Sequence, residues 1–306
     1  MSYNEIIKTM KVGFMGPFYP VPSDVKDEDR IEWLFKRSYE LGCKTIDYCF
    51  PFDDSDASIS KLKHLMDKYD IEPDMRAPRG LFKIYGCGEE SERVKEELKK
   101  RCDSMHKLGL KIMRCGYGMN TIATSRFNPK IPVKDHMQKL IDNLKEAATI
   151  LEEEHIFLAI ENHCDFTAQE LVEIFDAVDS PYVGCALDTG NGIIVFNDPN
   201  LEYKLLAPYV ITTHIKDMAI IDDPDKEHVP FTSCAVMMGE GIVDIEDAIE
   251  TIARKSKHAR GLHLIVETGA TGWAPQYKDM PMEERIALSK AWYDGYIEKL
   301  LQFINR

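Results

Sequence analysis

The sequence lacks the features of a secreted or membrane-bound protein. Eight cysteines are scattered through its 306 residues without a Cys-X-X-Cys pair, and such spacing in a long chain is typical of buried thiols in a reducing compartment. Residues 1–10 form a polar lead without the apolar core of a signal peptide, and no apolar run is long enough to cross a bilayer. We therefore expect a cytoplasmic protein that does not contact a membrane.

Positive charge is also scarce. The chain has 38 Lys and Arg residues against 52 Asp and Glu residues, a net charge of −14, which opposes a broad surface for the phosphates of a nucleic acid. No phosphate-binding Gly-rich loop is apparent, and no linker rich in Pro, Gly or Ser divides the chain. A chain of this length, 44% hydrophobic, can bury about three quarters of its unfolded surface. We expect a single domain over residues 1–306 and a small, unphosphorylated polar substrate.

Four apolar runs in the second half of the chain each end at a residue that can bind a metal. Short apolar runs bounded by polar residues indicate buried parallel strands. The residues that end the runs are Glu161, Asp188, His214 and Glu267. The first three are spaced 27 and 26 residues apart, close to the length of one strand, one helix and two short connections. The interval before Glu267 is about twice as long but holds one evident helix and a long loop, so we place Glu267 on the next strand.

The whole chain alternates predicted strands with predicted helices. The eight strands are expected at residues 11–15, 43–50, 72–77, 111–115, 156–163, 183–187, 210–213 and 262–266, and the eight helices at residues 27–41, 58–69, 89–108, 134–151, 167–178, 201–206, 245–255 and 283–304. This alternation fits a closed barrel or a doubly wound open sheet. No Gly-X-Gly-X-X-Gly follows the first strand, and ligands from four strands must converge. We therefore predict the α/β class and a single (β/α)8 TIM barrel, with its site at the C-terminal ends of the strands.

The four strand-end residues form a hard, oxygen-rich set of ligands. Three carboxylates and one imidazole suit Mn²⁺ or Mg²⁺, and the absence of thiolates argues against a structural zinc site. Two of these residues have an alternative role. Asp188 could instead cap a turn with residues 189–191, and His214 could be a satisfied core histidine. Those alternatives leave the shared placement at strand ends unexplained.

His163 and Lys216 are predicted to act next to these ligands. His163 lies two residues after Glu161, so in a strand it points to the same side, where an imidazole can remove a substrate proton. The alternative for His163 is a hydrogen bond to a ligand. Lys216 has the same relation to His214, and it either binds a substrate oxygen or pairs with Asp217.

Two further residues and two long loops complete the predicted site. Arg114, at the end of the fourth strand, is a candidate for binding an oxyanion or a carboxylate. Trp273 either covers a sugar ring or an aglycone, or seals the rim of the barrel or an interface. The predicted loops at residues 117–133 and 218–238 follow strands on the catalytic face, so they are candidate lids or partner-contact surfaces.

The strand ends also carry a family resemblance that covers essentially the whole chain. Its motifs are Glu-Asn-His, Leu-Asp-Thr-Gly-Asn, Thr-His-Ile-Lys-Asp and Val-Glu-Thr-Gly, with Gly-Glu-Gly-Ile-Val-Asp before the seventh helix. The sequence resembles the xylose-isomerase-like TIM-barrel superfamily of sugar-processing enzymes. That resemblance implies one divalent metal ion, for which we expect Mn²⁺, with Mg²⁺, Co²⁺ or Zn²⁺ as alternatives. The implied ligands are Glu161, Asp188, His214 and Glu267. The superfamily's endonucleases need extra histidines for three zinc ions, and this acidic chain lacks them.

Two reaction classes follow from the resemblance. The Glu-Asn-His strand end is similar to the large subunit of C-glycoside deglycosidases and related oxo-sugar lyases. This similarity implies that His163 removes the C2 proton of a 3-oxo-glycoside, that the aglycone leaves by β-elimination, and that a small β-sandwich subunit is a partner in an oligomer. The alternative is a sugar isomerase or epimerase in which Glu161 and Glu267 exchange the proton. The further histidine of ketose 3-epimerases is Asn191 here, which we expect to bind substrate. A noncatalytic, metal-bound carbohydrate sensor is the third hypothesis.

Overall fold

Eight parallel strands form a barrel, as the sequence predicts. The computed structural model describes residues 2–78, 91–116, 126–163, 165–228, 230–270 and 274–306. The barrel strands are β1 (Lys11–Phe14), β2 (Thr45–Tyr48), β3 (Glu72–Arg76), β4 (Ile112–Cys115), β5 (Phe157–Glu161), β6 (Val183–Asp188), β7 (Val210–Ile215) and β10 (His263–Val266). They are hydrogen-bonded in the order β1-β10-β7-β6-β5-β4-β3-β2. A bridge between Met15 and Asp47 and the bond from the Lys44 N–H to the Val12 carbonyl join β1 to β2 and close the ring.

Helices cover the outside of the barrel. In the described parts of the chain they are α1 (Tyr3–Ile7), α2 (Arg30–Glu40), α3 (Asp56–Tyr69), α4 (Ser91–Leu108), α5 (Val133–Glu154), α6 (Ala168–Val178), α7 (Pro199–Leu206), α8 (Ile245–Lys255) and α9 (Met282–Ile304). Helix α6 begins with a capping box between Thr167 and Glu170. In α9 Tyr293 is fully buried, and its neighbour Trp292 packs edge-on against the ring of Tyr277. No helix in these described ranges is long and apolar enough to span a bilayer.

The predicted loop at residues 218–238 is largely an antiparallel hairpin, so that prediction is wrong in its local structure. Strands β8 (Asp217–Asp222) and β9 (Phe231–Val236) pair along their whole length. The hairpin begins two residues after β7 ends, on the face where we expected a lid. Its apolar and β-branched residues satisfy their backbone groups by pairing with each other. Of the other predicted loop, residues 117–125 lie outside the described part of the chain.

The interior of the barrel is built from small and polar side chains. A cluster of Ala159, Ala186 and Ile211 fills its middle. Two buried carboxylates reach across it: Asp47 on β2 lies 3.1 Å from His214 on β7, and Asp74 on β3 bonds to partners on β7 and β10. Around the closed ring β7 is three strands from β2 in one direction and five in the other, and it is four strands from β3 in either direction, so these contacts cross the lumen. Polar groups therefore lie at both ends of the interior.

Candidate metal centre

The four predicted ligands meet at the C-terminal mouth of the barrel. Glu161 ends β5, Asp188 ends β6, His214 lies on β7 and Glu267 follows β10, and these strands are neighbours in the sheet. One ligand atom of each residue lies within 4.8 Å of the others. His214 Nδ1 is 3.0 Å from a Glu267 oxygen and 3.4 Å from a Glu161 oxygen. The pattern of strand ends therefore identified a set of side chains that the fold brings together.

Asp188 and His214 each use one polar atom within the protein. Asp188 Oδ1 accepts hydrogen bonds from the N–H groups of Gly190 and Asn191 at 2.8 and 2.9 Å, so the alternative role as a turn cap is real. His214 Nε2 bonds to Asp47 at 3.1 Å, as a satisfied core histidine would. Their other atoms, Asp188 Oδ2 and His214 Nδ1, are buried without a hydrogen bond. These two atoms lie at ion-pair distance from charged neighbours, Asp188 Oδ2 at 3.0 Å from Lys216 Nζ and His214 Nδ1 at 3.0 Å from a Glu267 oxygen, so each residue has one structural contact and one atom that faces the cluster.

The two glutamates complete the set. Glu161 Oε2 accepts a bond from Arg114 Nη1 at 2.7 Å, and its Oε1 lies 3.4 Å from Asn191 Nδ2. Glu267 Oε2 is buried without a hydrogen bond although His214 Nδ1 is only 3.0 Å away. The close approach of two atoms that do not hydrogen-bond to each other is expected if both point at a shared third position.

These residues fit a divalent metal ion. Buried polar atoms rarely lack a hydrogen bond, and three that lack one lie in one cluster: Asp188 Oδ2, His214 Nδ1 and Glu267 Oε2. Their close neighbours are charged groups of the same cluster and Lys216. Ligand atoms about 2.0 to 2.3 Å from one ion are at most about 4.6 Å apart, close to the observed limit of 4.8 Å. One nitrogen and several single oxygens suit a first-row divalent ion better than Ca²⁺, which takes six to eight oxygens.

Burial raises the pKa of one ligand of the cluster, whereas charged neighbours lower the pKa of another. Burial raises the pKa of Asp188 to about 7, against the attraction of Lys216. Burial alone would also raise the pKa of Glu161, but the positive charges of His214 and Arg114 outweigh it and lower that pKa to about 2. Besides His214, two cations balance the carboxylates: Arg114 beside Glu161, and Lys216, whose Nζ lies 3.0 Å from Asp188 Oδ2.

The segment after β6 fixes Lys216. The Thr189 hydroxyl donates to the Lys216 carbonyl at 2.7 Å and accepts from its N–H at 2.9 Å. Gly190 leaves room for the side chain, because a Cβ there would lie 2.8 Å from Lys216 Cγ and 2.5 Å from Met218 Cγ. Lys216 therefore pairs with Asp188, which corrects the alternative that it pairs with Asp217.

Asp217 has a structural role as a hydrogen-bond acceptor for the backbone, which the sequence did not predict. Its carboxylate is fully buried and accepts hydrogen bonds from the backbone N–H groups of Met218, Gly239, Gly241 and Val243 at 2.9 to 3.0 Å. Asp217 thereby joins the start of the hairpin to the Gly-Glu-Gly-Ile-Val segment that follows it.

His163 lies beyond the end of its strand. Because β5 ends at Glu161, the alternation of sides in a strand does not extend to His163, and that step of the prediction fails. A tight turn holds the residue instead, with its N–H bonded to the Glu161 carbonyl at 2.9 Å. Asn162 between them is clamped to the Asp188 backbone by two hydrogen bonds of 2.6 and 2.8 Å. The backbone of the half-buried His163 is thus held next to Glu161, and its role as a base stays a prediction.

The predicted substrate-binding residues have different placements. Arg114 is buried, with bonds to Glu161 and Asp47, and Asn191 is buried beside Glu161. Trp273 lies outside the described residues. Contacts of these side chains with a substrate stay predictions.

Sequence reasoning missed two buried acids near the site. Asp47 lies in the middle of β2, and a carboxylate between Ile46 and Tyr48 in a buried strand was a signal, since buried charges need partners. Asp165 follows His163 in the same connection, and neither of its carboxylate oxygens has a hydrogen bond. Burial raises the pKa of Asp165 to about 7, so this carboxyl can carry a proton near neutral pH.

Comparisons with known proteins agree with this architecture. A 3-oxo-isoapionate decarboxylase from Pectobacterium atrosepticum is 30% identical over 141 residues, a match that spans 46% of this chain and 47% of that protein. A D-tagatose 3-epimerase-like protein has a similar fold, with a TM-score of 0.63, 17% identity and coverage of 97% of this chain and 98% of that one. The IOLI protein, solved with a bound zinc atom, has a TM-score of 0.62 at 18% identity, covering 95% of this chain and 99% of that one.

The family itself is defined by a match over most of the sequence. The profile of the xylose isomerase-like TIM-barrel family matches residues 35–294, a range that includes all four residues of the metal cluster. The resemblance inferred from the strand ends is thereby confirmed. The chain belongs to the xylose isomerase-like TIM-barrel family.

Proposed function

We propose that this protein is a metal-dependent lyase that forms an enolate next to the ketone of a 3-oxo-sugar, with β-elimination of a 3-oxo-glycoside as its reaction. The observation that carries the proposal is the cluster of Glu161, Asp188, His214 and Glu267 at the barrel mouth, where one ligand atom of each residue lies within 4.8 Å of the others and three buried ligand atoms form no hydrogen bond. The name of the decarboxylase relative supports a 3-oxo-sugar as substrate.

The four clustered side chains would hold the ion, for which Mn²⁺ is our first candidate. When bound, a divalent ion supplies Lewis-acid stabilisation of the negative charge on an enolate oxygen. Lys216 adds a fixed positive charge on the same side, since its Nζ lies 3.0 Å from Asp188 and 3.7 Å from Glu267. A preorganised cation of this kind stabilises a developing oxyanion more than it stabilises a neutral ketone.

His163 is the proposed base. It would take the C2 proton of the 3-oxo-glycoside, and the electrons of the C–H bond would form the enolate between C2 and C3. Collapse of the enolate forms a C1–C2 double bond and breaks the bond from C1 to the aglycone, which leaves with the electron pair and takes up a proton. The short turn from Glu161 to His163 supports this role, because the bond from the His163 N–H to the Glu161 carbonyl holds the His163 backbone beside the residue that ends β5.

Decarboxylation is a second candidate, favoured by the curated relative. Loss of CO₂ from a carbon next to the ketone gives the same kind of enolate without a base, and a protonated group must then deliver a proton to carbon. Both reactions are lyase reactions on a 3-oxo-sugar. An isomerase or epimerase using Glu161 and Glu267 is the remaining alternative, supported by the likeness of fold to the epimerase-like protein.

Proton exchange separates these reactions. The Mn²⁺-loaded protein is incubated in D₂O with a 3-oxo-glucoside, a 3-oxo-sugar acid or a ketose, and deuterium uptake and products are followed by NMR. We expect exchange and aglycone release with the 3-oxo-glucoside, both lost in His163→Ala while Mn²⁺ binding is retained. His106→Ala, at a half-exposed histidine on α4, is the control and should behave as wild type.

Other outcomes lead to the other candidates. CO₂ release from the sugar acid without aglycone release would favour the decarboxylase. Exchange at a ketose carbon that survives His163→Ala but is lost in Glu161→Gln would favour the epimerase. No exchange with any of the three, together with tight sugar binding, would favour a carbohydrate sensor.

The proposal extends to the assembly. The similarity to C-glycoside deglycosidases makes a small β-sandwich subunit and an oligomeric state our expectation. The mass of the complex purified from its native source tests both.

A further inference from the structure

Two strands that carry none of the four ligands send charged side chains to the cluster. Asp47 on β2 accepts a hydrogen bond from Arg114 Nε on β4 at 2.8 Å, and the same oxygen, Oδ2, lies 3.1 Å from His214 Nε2. Arg114 Nη1 donates to Glu161 Oε2 at 2.7 Å. All four side chains are at least nine-tenths buried. The chain His214–Asp47–Arg114–Glu161 therefore links two of the four ligands through two residues that are not ligands.

The chemistry of these contacts determines which ligand atoms remain available. A carboxylate only accepts hydrogen bonds, so a bond to Asp47 requires the proton of His214 to be on Nε2. In the positively charged ring Nδ1 carries the second proton. A metal ion would displace that proton and bind the lone pair of Nδ1, the atom that faces Glu161 and Glu267. Arg114 occupies Oε2 of Glu161 and leaves Oε1 on the side of His214 Nδ1.

We propose that Asp47 and Arg114 are positioning residues that select His214 Nδ1 and Glu161 Oε1 as the metal-binding atoms. Partners of this kind orient the ligands of metal sites and are typically worth 10- to 100-fold in metal affinity. The inference rests on the metal site of the proposed function, but it is independent of which reaction the site performs.

The competing explanation is that the contacts only stabilise the barrel. The other end of the barrel offers a matched control for that explanation. Asp74 on β3 is as buried as Asp47 and pairs with the imidazole of His263, the first residue of β10, with a 2.5 Å contact between Oδ1 and Nδ1. Neither of its side-chain partners, His263 and Thr212, is a predicted metal ligand. Removing either carboxylate breaks a buried charge pair, so both changes should lower stability.

The test compares Asp47→Asn, Arg114→Gln and Asp74→Asn with wild type. Mn²⁺ affinity is measured by competition with a chelator, ligand geometry by the visible spectrum of the Co²⁺ form, and stability by urea unfolding. We expect a loss of Mn²⁺ affinity of about 10- to 100-fold in Asp47→Asn and an altered Co²⁺ spectrum in Arg114→Gln, because Glu161 can then use both oxygens. Asp74→Asn should lose stability but keep its Mn²⁺ affinity within about twofold.

The proposal would be overturned if Asp47→Asn and Arg114→Gln kept the Mn²⁺ affinity and the Co²⁺ spectrum of wild type and lost only stability, as Asp74→Asn does. If Asp47→Asn does not fold, Asp47→Glu and Arg114→Lys provide the same comparison with the charges kept. A wild-type protein that binds Mn²⁺ no better than Glu267→Gln would overturn the metal site itself, which separates the failure of the proposed function from the failure of the positioning pair.

Discussion

Residues 188–191, the Asp-Thr-Gly-Asn segment that begins at the last residue of β6, each make a different contact. Asp188 provides a candidate ligand atom and caps the turn that follows it. Thr189 holds the Lys216 backbone through two hydrogen bonds. Gly190 leaves space for the Lys216 side chain because it has no Cβ. Asn191 contacts Glu161. Four consecutive residues therefore position side chains at the ends of β5, β6 and β7.

Gly190→Ala should displace the positively charged side chain of Lys216. The backbone of Gly190 has a φ of −115°, which alanine adopts without strain, so the effect comes from the Cβ pressing on Lys216 and Met218. We expect turnover to fall about 10- to 100-fold, somewhat less than the loss of an oxyanion donor, with Mn²⁺ affinity retained. Kinetics with the 3-oxo-glucoside and chelator competition measure both.

Gly109→Ala is the matched control for that change. A Cβ at Gly109 meets no atom within 4 Å, but the residue has a φ of +75°, so alanine is strained there and should cost about 1 kcal/mol of stability. Its turnover should be normal. Equal turnover in Gly190→Ala and wild type would show that Lys216 need not stay where the structure places it.

At the residue scale, the sequence revealed ligands but not their partners. Glu161 and Asp188 could be predicted because they interrupt apolar strands at a repeated interval, and a parallel barrel brings such strand ends together. Asp47 and His214 are 167 residues apart in the chain, and nothing local to either residue indicates the other. Their contact depends on where β2 and β7 lie across the lumen, which follows only once the ring is closed.

The hairpin of β8 and β9 depends on one side chain at its base. The carboxylate of Asp217 accepts four backbone N–H groups, two on each oxygen, from the start of β8 and from residues 239–243. A Cβ at Gly241 would lie 2.2 Å from Asp217 Oδ1, so the segment must have glycine there. This arrangement attaches the hairpin to the connection before α8.

Asp217→Asn should therefore loosen the base of the hairpin. An amide has one accepting oxygen, so two of the four N–H groups would face an NH₂ group, and the loss of charge-assisted bonds should lower the free energy of unfolding by about 2 to 4 kcal/mol. Urea unfolding measures the loss, and hydrogen exchange at residues 239–243 locates it. Asp222→Asn, at an exposed position of the same hairpin, should change neither quantity, and equal effects of the two variants would contradict this account.

Secondary-structure prediction succeeded where a hydrophobic pattern extended over a long segment and failed where the segments were short. The helix predicted at residues 245–255 is observed as Ile245–Lys255, because its apolar positions repeat over three turns and Asp244 caps it. The hairpin was missed because β8 and β9 have six residues each and only three of their twelve side chains are buried. Such strands are stabilised by pairing with each other, and pairing partners are not encoded within either segment.

At the scale of the whole molecule, the barrel has a charged network at each end of its lumen. The upper one surrounds the metal cluster. In the lower one, His263 bonds to Asp74 and lies 3.5 Å from Glu72, Asp74 also accepts a bond from Thr212, and Lys11 pairs with Glu72. The lower network joins β1, β3, β7 and β10, and so it links opposite sides of the ring.

The lower network should make the barrel less stable at alkaline pH than at neutral pH. Burial alone would lower the pKa of His263, but the Asp74 carboxylate outweighs it and raises that pKa to about 9 from an ordinary value of 6.5. A group whose pKa is raised by folding contributes stability that is complete below its unfolded pKa and is lost as the pH rises through its folded pKa. We therefore expect the contribution of His263 to be complete below about pH 6.5 and lost by about pH 9 to 10.

The size of the effect is accessible to urea unfolding at a series of pH values. A rise of this size corresponds to about 3 kcal/mol, so the difference in unfolding free energy between wild type and His263→Gln should shrink by about that amount from pH 6.5 to pH 10. Asp74→Asn removes the partner and should flatten the same part of the curve. Because both changes break one interaction, the double variant should be no flatter than either single variant. A difference that stays constant over this range would mean that His263 is neutral in the folded barrel, and its bond to Asp74 would then hold the two sides of the ring together without an ionic contribution.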